Sequence, residues 1–108
     1  MTTQPAGRYI AIMQLKHDSS LERIRKDVPQ ILAVLQRLSN GEHEMAFRSN
    51  DGLLFGMFLK TSVPGRVLLA EFDKCEGSRD GDSILVFEAG GILTGGGFSR
   101  AWTWLQHH

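Results

Sequence analysis

His43-Glu44-Met45-Ala46-Phe47-Arg48-Ser49, then Asn50-Asp51-Gly52, then Leu53-Leu54-Phe55-Gly56-Met57-Phe58-Leu59-Lys60-Thr61, is the stretch that decides the fold. Met45 and Phe47 alternate with Glu44, Ala46 and Arg48, the period of a half-buried strand. Ser49-Asn50-Asp51-Gly52 joins residues that tolerate positive φ to one that prefers it, a turn signal between two strands. Two antiparallel neighbours are therefore expected here. Gly56, inside the second of them, marks a bulge or a close backbone approach.

Upstream, Arg8 to Lys16 is apolar on both parities. Tyr9, Ala11, Met13 and Leu15 share one face, and Ile10 and Ile12 take the other. This pattern predicts a central strand covered on both sides. Between that strand and the hairpin, Leu21, Ile24, Val28, Ile31, Leu35 and Leu38 recur at steps of three and four, widened by Leu32. An amphipathic helix follows from that spacing. Ser19 and Glu22 have capping-box spacing, and Asn40-Gly41 suits a helix end. Pro29 predicts a kink near Arg25–Asp27, or two helices with Asp27 capping the second.

Downstream, residues 64–75 fit either a strand or a helix. The helix is preferred: Pro64 is tolerated in a first turn, and Val67, Leu68, Phe72 and Cys75 then share one face. Ser83 to Ala89 is again strand-like and apolar on both parities, which predicts a central position. The order strand, helix, strand, strand, helix, strand is that of an α+β, ferredoxin-like βαββαβ plait with an antiparallel sheet. Two helices cover one face of such a sheet. Ile10, Ile12, Leu54 and Phe58 would line the other. Apolar area of that extent seldom stays bare on a monomer. A homodimer is expected, with residues 90–108 helping to form its interface through Trp102 and Trp104.

The 108 residues balance 12 Lys and Arg against 12 Asp and Glu, with 42% hydrophobic and 22% charged residues. One globular domain over 1–108 is expected, with 1–7 as a flexible lead-in and 90–108 as a glycine-rich extension. The balance argues against a general nucleic-acid binder. Cys75 is the one cysteine, so no internal disulfide forms and a reducing, cytoplasmic setting is expected. Neither a signal peptide nor a membrane-spanning run is read in the chain. The closing His107-His108 pair carries no functional weight.

Gly90-Gly91-Ile92-Leu93-Thr94-Gly95-Gly96-Gly97 holds five glycines in eight residues. Gly95, Gly96, Gly97, Ser99 and Arg100 form a candidate ligand-binding loop, because glycine amides can approach an anion. The Gly-Lys-Ser/Thr ending of a P-loop is missing, and so is a proper dinucleotide fingerprint. A hinge carrying the tryptophans is the simpler reading. Residues 98–105 fit a helix and a strand equally. Trp102 and Trp104, with Arg100, Arg48, Lys60 and Arg66, also allow base stacking beside phosphate contacts.

For catalysis, His17 and Asp18 follow the first strand. An aspartate there, paired across a two-fold axis, can bind a divalent metal and activate water. In length and order of elements the chain resembles small ferredoxin-like nucleases of the CRISPR-associated and VapD-like type, a resemblance that implies metal-dependent nuclease activity through Asp18. Those families place the acid within the strand end, whereas Gln14-Leu15-Lys16-His17 intervene here. A helix-capping role for Asp18 is preferred. Asp73, Glu76, Asp80 and Asp82 lack calcium-loop spacing. Cys75 has no neighbouring histidine to activate it. His43 at a strand start needs no special role. The leading expectation is a non-catalytic interaction module, with no cofactor and no metal.

Overall fold

The computed structural model describes residues 6–89. They form six elements: β1 (Gly7–Gln14), α1 (Leu21–Leu38), β2 (His43–Arg48), β3 (Leu54–Thr61), α2 (Gly65–Lys74) and β4 (Ser83–Glu88). The four strands make one sheet in the order β2-β3-β1-β4, with every neighbouring pair antiparallel. The fold is α+β. β1 starts at Gly7, which pairs with Thr61 and so lies one residue inside the expected lead-in. No helix among the described residues is long and apolar enough to cross a membrane.

Both helices lie on one face. Ala11, Met13, Phe55, Met57 and Leu59 point from the strands into a core closed by Ile24, Val28, Ile31 and Leu35 of α1 and Leu68 and Phe72 of α2. The helical reading of residues 64–75 holds, because Leu68 and Phe72 come one turn apart and are both buried. Phe55, Leu59 and their neighbours alternate with residues of the opposite face, as the period of two requires.

The helix ends differ in part from the sequence reading. Ser20, not Ser19, is the N-cap of α1, and its hydroxyl accepts from the Arg23 amide at 3.0 Å. Ser19 instead accepts from the Arg23 side chain. At the other end, the Asn40 amide reaches Arg37 O and the Gly41 amide reaches Gln36 O, with φ of 52° and 85° at Asn40 and Gly41. This is a Schellman closure, and Asn40-Gly41 are the residues that permit it. α1 runs unbroken through Pro29. The two-helix alternative is therefore overturned, and Asp27 caps nothing. Flanking turns packed on the core hold the helix together although proline supplies no amide hydrogen.

The hairpin turn uses its polar residues locally. Ser49 Oγ donates to Asp51 Oδ1 at 2.6 Å, and the Leu53 amide donates to the same oxygen at 3.0 Å. These bonds, the Ser49 one foremost, hold the Asp51 carboxyl below its ordinary pKa. Gly52 alone takes positive φ there, packed on Ile24. Gly56 is a close approach: a Cβ there would fall 2.4 Å from the Phe47 ring, and β2 shifts register between Met45 and Phe47 to lay that ring down.

One expectation about the sheet fails. β4 is apolar on both parities, yet it lies at an edge. Ile84 and Val86 turn toward the core, whereas Leu85 and Phe87 turn away from it and are 57% and 52% exposed.

Candidate functional site

The face of the sheet opposite the helices is the candidate site. Strand register places its residues in rows that cross the strands. One row runs Phe87, Ile10, Phe58, Glu44, and the next runs Leu85, Ile12, Gly56, with the Phe47 ring lying over Gly56. Ile10, Ile12 and Phe58 are half-buried, and Leu54, in the following row, is exposed. The expected interface residues Ile10, Ile12, Leu54 and Phe58 thus share one surface. Leu85, Phe87 and Phe47 join them, which the pattern of single strands did not reveal.

Polar residues border this band on three sides. Arg8 and Lys60 pair at one end, Gln14 and Ser83 at the other, and Glu44 stands on β2. On the fourth side the band runs to the β4 edge with no polar border among the described residues. Large apolar side chains in one contiguous patch are the usual mark of an association surface.

The other expected residues are placed as follows. His17 and Asp18 lie in the turn before α1, both exposed, with Asp18 3.7 Å from the Lys16 ammonium. Asp18 is not the cap of α1. Among the described residues, no group of three or more His, Cys, Asp or Glu side chains gathers as a metal site. Cys75 is partly buried at the end of α2, where its sulfur accepts from the Gly77 amide. Gly95, Gly96, Gly97, Ser99, Arg100, Trp102 and Trp104 lie outside the described residues.

A polar cluster that was not expected closes one end of the core. Arg23 reaches Asp82 with two nitrogens, at 3.0 and 2.5 Å, Asp27 Oδ2 at 2.6 Å, and the Gly77 carbonyl at 3.0 Å. The side chains of Asp27 and Asp82 are each only 1% exposed. Arg79 adds a second bond to Asp27 Oδ2 at 2.8 Å. The amides of Lys16 and Arg79 complete the donors around Asp82.

This arrangement determines the ionisation. Arg79, then Arg23, holds Asp27 below its ordinary carboxyl pKa against the cost of burial. Burial pushes Asp82 up, but the bonds from Arg23, Lys16 and Arg79 outweigh it and leave the carboxyl lowered. The Arg23 guanidinium is raised, chiefly by Asp82. The cluster joins α1 to the loop before β4 and to the end of β1, so its role is to fix the sheet edge. Its signal in the sequence was an acid, Asp27, set between Ile24 and Ile31 on the apolar stripe, with a base four residues before it.

No protein-family model, no curated protein and no solved structure matches the chain.

Proposed function

We propose that the protein is a small cytoplasmic interaction module without catalytic activity, built on a ferredoxin-like βαββαβ plait and acting as a homodimer. The strand order β2-β3-β1-β4 supports the plait. A single cysteine in 108 residues supports the reducing compartment. The observation that carries the homodimer is the open face: Leu85 and Phe87, each more than half exposed, sit beside Ile12 and Ile10. Two-fold pairing is the commonest way to cover such a surface. Trp102 and Trp104, in the segment after Ala89, are assigned to the same interface.

Sedimentation velocity on the full chain tests this. The wild type is expected to sediment as a dimer. Leu85→Glu, which places a charge at a 57% exposed position of the band, is expected to give a folded monomer. A wild type that stays monomeric at every concentration refutes the proposal.

A further inference from the structure

We propose that the outer edge of β4 pairs with β4 of a second copy, antiparallel and about a two-fold axis through Val86, so that two four-stranded sheets become one of eight. The inference rests on the homodimer reading and places the contact at the β4 edge, with Leu85 and Phe87 of the open face at the seam, in place of a face-to-face contact across Ile10 and Ile12.

The two sheet edges are built differently. β2 carries Glu44 and Arg48 and shifts register at Met45/Phe47. Charges and bulges of this kind are the usual protection of an edge strand against a further strand. β4 reads Ser83-Ile84-Leu85-Val86-Phe87-Glu88, with no proline, no basic residue and no shift against β1. Among the described residues, no strand pairs with its outer side. The apolar band on the open face also has no polar border at this edge among the described residues. On the helix side, Leu69 is 41% exposed and walls a groove of about 360 Å³ with Gly65, Arg66 and Ile84 to Val86. Apolar surface therefore reaches this edge from both faces of the sheet.

The hydrogen-bond phase selects the register. The Ala89 amide donates to Arg8 O at 2.7 Å, so Ala89 points its backbone groups at β1. Alternation then turns Ser83, Leu85 and Phe87 toward β1 and leaves the N–H and C=O groups of Ile84, Val86 and Glu88 facing outward. A two-fold antiparallel partner uses all three outward residues only when Val86 meets Val86 of the second copy. Ile84 then meets Glu88 of the second copy, and Glu88 meets its Ile84, for up to about six backbone hydrogen bonds. In the same register Leu85 falls opposite Phe87 of the second copy, in the closer, non-hydrogen-bonded positions. The two copies present their open faces on the same side, so the exposed Leu85 and Phe87 pack together at the seam, while the half-buried Ile10 and Ile12 behind them stay on the joined open face. The two Glu88 carboxylates stand at opposite ends of the pairing and do not meet.

Proline at an outward position separates this edge contact from the face contact. Val86→Pro removes an amide hydrogen that β1 does not use, and edge strands tolerate proline there. Glu88→Pro does the same at the exposed strand end and decides the question if Val86→Pro fails to fold. The expected result is a folded monomer, by circular dichroism and sedimentation, at concentrations where the wild type is a dimer. In wild-type hydrogen exchange, the amides of Ile84, Val86 and Glu88 are expected to be protected, and to lose protection on dilution to monomer. Folded proline variants that remain dimeric overturn the edge pairing while leaving the homodimer reading intact. Protection of the three amides in a monomeric wild type means that residues after Ala89 cover the edge, and it overturns both.

Discussion

The two faces of the sheet are made by the same strands, one residue apart, and have opposite fates. Met13, Phe55 and Leu59 are sealed under two helices, whereas Ile10 and Ile12 are only half-buried and Leu85 and Phe87 are more than half exposed. Burial of apolar side chains contributes roughly 1.5–3 kcal/mol each, and the covered face supplies most of it here. The open face adds little to the stability of one copy, so its apolar residues are better understood through what they attach to. Because the side-chain period is two, a strand can serve a private core and a shared surface at once.

Substitutions on each side should break this contrast. The largest effect is expected from Phe55→Ala on the covered face. Phe55 is fully buried, and its truncation should cost about 3–5 kcal/mol in denaturant unfolding. Asp82→Ala comes next. It leaves Arg23 facing Asp27 alone at the end of the core, and removing one member of a buried ion pair costs about 3 kcal/mol. Acid should act through the same cluster. Asp27 and Asp82 have lowered carboxyl pKa values in the folded state. Their contribution is complete above the unfolded carboxyl value near ~4 and is lost as pH falls through the folded values. Thermal melts should therefore show stability falling from about pH 5 downward, with a shallower fall in Asp82→Ala. The smallest effect is expected from Leu85→Glu on the open face, about 1 kcal/mol or less on the isolated copy, although the same change should abolish association. A large loss of monomer stability in Leu85→Glu would erase the distinction between the faces.

Much of the architecture was legible in the sequence. Period-two alternation around Asn50-Asp51-Gly52 and the stripe from Leu21 to Leu38 are strong local signals, and α2 followed from Leu68 and Phe72 sharing a face with Pro64 ahead of them. The position of β4 was not legible. An apolar run on both parities has the same appearance whether a strand is covered by its own chain or by another, so Ser83–Glu88 read as central although it forms an edge. The open-face residues Ile10, Ile12, Leu54 and Phe58 were found from parity, but Phe47 joined them only through the register shift opposite Gly56. The Arg23-Asp27-Arg79-Asp82 cluster was missed because its members are up to 59 residues apart in sequence. Only the fold makes them neighbours. Asp27, which on sequence alone is the cap in only one of two readings of Pro29, lies inside the unbroken α1.

The most direct test of the central claim is the sedimentation coefficient of the full wild-type chain across a wide concentration series. The open face and the β4 edge, unpaired among the described residues, predict a dimer that dissociates to a folded monomer on dilution. A single monomeric species throughout, with no change in sedimentation at the highest concentration reached, would contradict the account.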